Sequence, residues 1–460
     1  MKLIDISLRT IKSTLCFKSI NVVVTGFFLI LGSQASYAED LLDLWKVAEL
    51  NDSKYLSAAH KHLSDQEIVY LSRSELMPQI SLQYEHKNTE QQINKSDNLV
   101  FDGSYDSYPT KVLGLTLTQA VFNHARWQSY LQSEISSDRA QVEYRVAKQD
   151  LLLRLAENYF LVLERADQLE TLQAEKAAMF KHLTTSEKRH ASGLGRRADI
   201  EEARARYLSA LSTEVELQSR AVDSRYALRE VLGREPGELS RLDSNFELVL
   251  PVPSDANEWV KMSVLRNLEL QSMNFALQIA DKEISVLRAG HYPTVDVVLN
   301  RNNTDVGGSV FGGGSNIDNT DLTLQLNIPI YSGGKTSARF RQAVEKRASA
   351  YHDRNEKKRL VERSAHDAYN RVSAAISKVD ALSQSVKAQK TLLRSKTSGY
   401  RSGQNSMLEI LDVEQALSTA QQSLTKARYD YVLNVLRLKS TAGDLVEDDL
   451  ILVNGWLAKK

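Results

Sequence analysis

The chain has 460 residues, 58 Lys and Arg against 58 Asp and Glu for a formal net charge of zero, and 42% apolar content. That balance supports a large core and carries no electrostatic footprint for a nucleic-acid partner. The negative mean hydropathy and the lack of a long apolar run after residue 40 exclude a bundle of membrane-spanning helices. They leave room for a β-barrel, whose strands are apolar on one face only.

Lys2, Arg9, Lys12 and Lys18 precede an apolar run from Val22 to Leu31, and Ser36-Tyr37-Ala38 comes before Glu39. This is the layout of a secretory signal over residues 1–38, with cleavage expected after Ala38. A membrane anchor is the weaker reading, because the run is about half of the roughly 20 residues needed to span. Cys16, the single cysteine, lies upstream of the run, so a chain beginning at Glu39 would have none. That suits an oxidising compartment.

Gly and Pro punctuate the chain after the signal. Residues 39–77 contain neither and read as one helical run. After Pro78, Ile80, Leu82 and Tyr84 alternate with polar residues and predict a strand over about 79–90; Leu113, Leu115 and Leu117 predict another over about 111–121. The polar residues 90–110 between them are expected to be a loop. Residues 123–192 are again free of Gly and Pro, about 105 Å of helix at about 1.5 Å per residue. Ser192-Gly193-Leu194-Gly195 turns the chain, and residues 196–232 return as a shorter helix. Residues 234–253, rich in Pro and Gly, form a linker that ends a first repeat over 39–233.

The second repeat, 254–460, restates this order: a helical run over 254–289, a strand over about 294–301, a Gly-rich loop over 302–320, and a strand over about 321–331. A long helix over 335–398 and a return helix over about 404–442 complete it. Pro78 matches Pro293 and Leu50 matches Leu265 at an offset of 215, while Gly193 matches Gly403 and Gly233 matches Gly443 at 210. The chain is a tandem duplication. In the second long run Val361, Ala365, Ala368, Val372, Ala375, Val379, Leu382 and Val386 alternate four and three apart, a heptad seam. The two short runs of each repeat add up to about one long run, so stacked end to end they would flank it. Four strands cannot close a membrane barrel, since the smallest bacterial ones have about eight, and lipid tolerates no open sheet edge. Three copies would supply twelve strands and twelve rods.

The duplicated helix-strand-strand-helix units, the junction Ile328-Pro329-Ile330-Tyr331-Ser332-Gly333-Gly334, its paler copy Gln119-Ala120-Val121-Phe122-Asn123, and the turn Gly399-Tyr400-Arg401-Ser402-Gly403 together resemble the TolC-type outer-membrane efflux and secretion channels. The resemblance covers nearly all of the chain after the signal; one departure is Asn51-Asp52, where the family often has Asn-Pro. It implies a mainly α fold with a small β part. As a homotrimer the units would form a 12-stranded transmembrane β-barrel in outer-membrane lipid, continued by a long periplasmic α-helical barrel, in a Gram-negative bacterium. It implies a passive exit duct and no enzyme, with no cofactor, completed by a periplasmic adaptor protein and an inner-membrane ABC transporter or proton-driven pump. The absence of a lipid-bearing cysteine leans toward type I protein secretion. The alternatives are a multidrug efflux channel and, more distantly, a periplasmic adaptor, which would have one hairpin where this chain has two.

Glu409 and Asp412 lie three apart on one helix face and would become carboxylate rings in a trimer. Ser406-x-x-Glu409 and Asp199-x-x-Glu202 also have capping-box spacing, which offers a purely structural role. The resemblance assigns Glu409 and Asp412 to the pore constriction, and Tyr400 and Asp199 to closure of the tip. The arginine of the family's latch is Asn405 here, so Arg196, Arg197 and Arg401 become its candidate replacements. The corners Ser192-Gly193-Leu194 and Ser402-Gly403-Gln404 are the expected adaptor-docking turns. Gly334-Lys335-Thr336 has the setting of a phosphate-binding loop, but Pro329 stands where that loop requires glycine. Nine scattered histidines show no metal-ligand spacing.

Overall fold

The computed structural model describes residues 38–97, 105–243, 246–309 and 312–458. The expected secretory signal up to Tyr37, Cys16 included, lies outside the described residues. In order, the elements are α1 (Leu41–Asn51), α2 (Ser53–Ser74), β1 (Gln79–Gln92), β2 (Tyr105–Phe122), α3 (His124–Ala191) and α4 (Arg197–Leu232). The same series then recurs as α5 (Ala256–Arg266), α6 (Leu268–Arg288), β3 (Thr294–Ser309), β4 (Gly312–Asn327), α7 (Lys335–Arg401) and α8 (Met407–Thr441), followed by a short α9 (Glu447–Asn454). The fold is mainly α with a small β part, and it is tandem-duplicated. Among the described residues no helix is long and apolar enough to cross a membrane.

Each helical run expected ahead of the strands is in fact two helices. The Asp52 side chain accepts from Tyr55 N at 2.7 Å and is forked by Arg154 at 2.9 and 3.0 Å, so it ends α1 and caps α2. Asn267 repeats this at the offset of 215, accepting from Leu270 N at 2.9 Å and donating to Thr441 O at 2.9 Å. An Asx side chain bonded to backbone offers the chain an alternative to the helical ladder, so it breaks a helix without Gly or Pro. At Asp52 capping supplies the interruption that a proline would supply by its missing N–H.

Both hairpins are longer than the alternation indicates. β1 and β2 reach into the expected loop 90–110, and β3 and β4 occupy most of the expected loop 302–320. Ladder hydrogen bonds need no apolar side chains, and polar rungs extend the sheet: Asn303 Nδ2 donates to Asn316 Oδ1 at 2.8 Å and Asp318 Oδ1 at 3.0 Å. β4 stops at Asn327, short of the expected 331, just before Pro329, which has no N–H to donate. Gly333 and Gly334, both at positive φ, then turn the chain into α7.

The four strands form one antiparallel sheet in the order β1-β2-β3-β4. α3 runs along α2 and α6 in its first half and along α4 and α8 in its second, while α7 runs along α6 and then α8. The section through the chain is therefore β1-β2-β3-β4, then α2-α3-α6-α7, then α4-α3-α8-α7. The heptad seam of α7 is buried except for Leu382, which is half-buried, because its alanines and valines allow the rods to approach closely. A larger core lies mid-length, where Trp45, Leu155, Tyr159, Phe160, Leu228 and Leu436 meet. The linker is laid against this core: Tyr159 donates to Ser240 O at 2.7 Å and Tyr431 to Val249 O at 2.8 Å.

Candidate functional site

α3 and α7 end in the same turn. Ser192, Gly193 and Leu194 donate backbone N–H to Lys188 O (3.2 Å), His190 O (2.9 Å) and Arg189 O (2.9 Å). Ser402, Gly403 and Gln404 donate to Ser398 O (3.2 Å), Tyr400 O (3.1 Å) and Gly399 O (2.8 Å). Gly193 at φ 74° and Gly403 at φ 78° hold the left-handed position that a Cβ disfavours. All six corner residues are exposed, Leu194 by 75%, and a Cβ on either glycine would meet nothing within 4 Å. The second corner begins later than the sequence indicates. α7 runs past residue 398 to Arg401, and Gly399 lies within its last turn, where a Cβ would stand 2.0 Å from Asn405 Nδ2.

Ser406 and Glu409 form the expected capping box at the start of α8, with Glu409 N donating to Ser406 Oγ and Ser406 N to Glu409 Oε1, both at 3.3 Å. Lys396 reaches from α7 to the other oxygen, Glu409 Oε2. That ammonium, followed by the Ser406 N–H, holds the Glu409 carboxyl below its usual range. Asn405 accepts from Lys396 Nζ and donates to Lys396 O, each at 3.4 Å, so it ties the corner to its own hairpin. The second expected box, Asp199 with Glu202, does not form. Asp199 sits inside the first turn of α4, whose cap is Arg196, and it accepts from Arg196 Nη2 at 3.1 Å.

Glu409 and Asp412 share a helix but engage different neighbours. Asp412 accepts from Arg206 Nη2 on α4 at 2.7 Å, and the same guanidinium donates to Gln415, clamping the first hairpin to the second. Farther from the corner His182 and Glu414 approach at 3.0 Å between α3 and α8. Tyr400 and Asp199 are not joined: Tyr400 lies under Arg189, 5.0 Å from its ring centroid, beside the apolar cluster of Met179, Leu183, Ile200, Ala203, Met407 and Leu411. Arg197 and Arg401 are exposed and make no ion pair among the described residues. Lys396, Arg206 and Arg189 are the partners that sequence reasoning missed. Nothing in their spacing marks them, because each meets its acid or ring across a turn or between hairpins.

At the opposite end the sheet has one apolar face. Ile80, Leu82 and Tyr84 of β1 lie beside Leu117, Leu115 and Leu113 of β2; Leu299, Val297 and Val295 of β3 lie beside Leu322, Leu324 and Leu326 of β4. Leu117 pairs with Leu299, but Leu115 and Leu113 pair with Arg301 and Asn303. The apolar belt thus steps by four residues between hairpins, about 13 Å along the strands for about 10 Å between the hairpin midlines. Strands tilted by about 45° to a membrane bring such a belt level. With 14 residues in β1 and 18 in β2, the strands exceed the roughly 9–11 needed to cross, so their hairpin ends extend beyond a bilayer.

An apolar belt across a four-stranded sheet, carried on two rods of about 100 Å, fits an outer-membrane protein of the channel-tunnel class. Residues 44–234 and 259–444 each match the outer membrane efflux protein family, and the chain belongs to that family, which consists of channels and not enzymes. It is 30% identical over 432 residues to the outer membrane protein TolC of Vibrio cholerae serotype O1, covering 93% of this chain and 96% of that one. To the alkaline protease secretion protein AprF of Pseudomonas aeruginosa it is 27% identical over 433 residues, covering 93% and 89%. Its fold is also that of the Campylobacter jejuni CmeC outer membrane channel, with a TM-score of 0.78 at 13% identity, covering 90% and 89%.

Proposed function

We propose that three copies of the chain close head to tail into a twelve-stranded barrel and a helical tunnel, a passive exit duct across periplasm and outer membrane. The observation that carries this reading is that every level of the chain has two open edges of different kinds. β1 and β4 are edge strands of the sheet, and unpaired backbone groups at an edge are costly in lipid. α4 and α7 are the outer members of the tunnel section. α4 carries an uncovered stripe of Leu208, Leu211, Val215, Val222 and Tyr226, all exposed, at spacings that suit a neighbouring rod. Edges of different kinds join heterologously and close into a ring.

The corners are then the periplasmic tip. A periplasmic adaptor protein docks on Ser192, Gly193, Leu194, Ser402, Gly403 and Gln404, whose exposure and bare glycines leave room for close approach, and it links the duct to an inner-membrane ABC transporter or proton-driven pump. Glu409 and Asp412 line the narrow end as acidic rings. Asp412 is the stronger member, since one oxygen remains outside its Arg206 pair, whereas both Glu409 oxygens are engaged. Arg196 with Asp199, and Arg189 with Tyr400, replace the latch lost at Asn405. Type I protein secretion is the favoured use, because a relative whose name denotes protease secretion matches along almost the whole chain; multidrug efflux is the second reading, favoured by the likeness of fold to an efflux channel.

The reversal potential of single trimers in planar bilayers under a salt gradient tests the tip. Asp412→Ala is expected to lose most of the cation preference, Glu409→Ala less, and the pair all of it. An unchanged potential in the double variant assigns both residues to helix capping and pairing alone.

A further inference from the structure

The apolar belt ends on each strand at a definite residue, and the side chain two positions on, toward the hairpin, faces the same way. On β1 that residue is His86, after Tyr84; on β2 it is Lys111, after Leu113; on β3 it is Arg301, after Leu299; on β4 it is Thr320, beyond Leu322. Three of four strands thus place a basic side chain at the first outward position beyond the belt. His86 and Lys111 are cross-strand partners. Arg301 lies four residues lower, opposite Leu115, and a tilt of the strands reduces that difference in height. Both Lys111 and Arg301 are exposed, and neither has an ion-pair partner among the described residues. The acids nearby are Asp305, opposite Lys111 and four residues above Arg301, and Asp318, which accepts from Asn303 at 3.0 Å.

We infer that Lys111 and Arg301, with His86 beside them, form a rim that binds the phosphate of anionic lipid headgroups in the leaflet on the hairpin side of the barrel. The inference rests on the proposed barrel. A lysine at a membrane surface supplies a mobile point charge and an arginine a planar fork suited to phosphate. Their height decides the ligand: a group immediately above an apolar belt meets headgroups, whereas a protein partner would need surface farther out.

The test uses the full-length trimer in mixed micelles of phosphatidylglycerol and phosphatidylcholine, with retained lipid counted by native mass spectrometry. The wild type is expected to retain phosphatidylglycerol selectively, and to lose that selectivity as salt is raised. Lys111→Gln and Arg301→Gln should each weaken retention about fivefold, the equivalent of about 1 kcal/mol per cation. The charge-conserving pair Lys111→Arg and Arg301→Lys should keep it. Equal retention of both lipids by the wild type overturns the rim, as does full retention by the double glutamine variant. Retention that a chelator abolishes and the glutamine variants leave intact assigns the headgroup to the acids through a metal ion, which also overturns it. Failure of the wild type to assemble as a trimer would remove the barrel itself, an outcome that sedimentation in the same micelles separates from a lipid-blind barrel.

Discussion

The corner joining α3 to α4 and the corner joining α7 to α8 share three backbone hydrogen bonds at an offset of 210 and almost no side-chain chemistry. In the first, residue 189 is Arg and residue 195 is Gly; a Cβ on Gly195 would lie 2.9 Å from His190 N and 3.1 Å from Arg189 Cβ. In the second, the bulk is reversed: Gly399 is bare and Asn405 fills the contact. The crossing holds one side chain, and duplication kept the space while its owner changed. The caps diverge as well. Ser406 and Glu409 close the second corner reciprocally and Lys396 tethers it. Arg196 caps the first without a side-chain bond, and the residue equivalent to Lys396 is the buried Ser186, whose hydroxyl has no partner. A duplicated turn is thus set by its main chain, and side chains decide how firmly each copy is held.

The most severe challenge to this contrast is to add a methyl group to each crossing. Gly195→Ala drives a Cβ into main-chain atoms and is expected to cost about 2–3 kcal/mol. Gly399→Ala meets an amide that can swing aside, losing weak bonds worth about 1 kcal/mol. Thermal unfolding and corner hydrogen exchange of the full chain give both values, and Gly399→Ala with Asn405→Gly should recover most of the loss. A reversed ranking, or no recovery, ends the idea of one shared space.

Capping distinguishes the corners at a smaller scale. Ser406→Ala should lower protection of the first turn of α8 by about 1 kcal/mol, while Arg196→Ser should raise that of α4 by up to about 1 kcal/mol. If both variants are neutral, the two corners are equally capped.

Acid should separate the corners further. The folded-state carboxyl of Glu409 is held down by Lys396, so its contribution is present above the unfolded carboxylate pKa of about 4.3 and is lost as pH falls through the lower folded value. Protection at the start of α8 should therefore decline below about pH 4, and Lys396→Met should flatten most of that decline. A profile unaltered by Lys396→Met would mean that Lys396 is not the cause. The smallest effect is expected from Arg196→Ala, whose pair with Asp199 has an exposed guanidinium and contributes about 0.5 kcal/mol or less; exchange in the first turn of α4 reads it.

Period and punctuation made the duplication, the rods and the hairpins legible, since a heptad seam, a run free of Gly and Pro, and alternation are local properties that follow from backbone geometry. The Ser406 to Glu409 box was legible for the same reason. The breaks at Asp52 and Asn267 were open to view as Asx caps but hidden by reliance on Gly and Pro. The outer parts of the hairpins were hidden because a polar ladder has no hydrophobic signature.

The order of amino acids alone established which stretches become rods and strands, and that the unit occurs twice. It took the packed molecule to show that Glu409 faces Lys396 while Asp412 faces Arg206, that Asn405 turns inward against Gly399, and that Arg301 stands opposite Leu115. Each of these depends on how two segments meet, by a turn, by the docking of one hairpin on another, or by the stagger between strands. Spacing along a chain fixes a residue's face on its own element, and leaves its partner to the packing of the next.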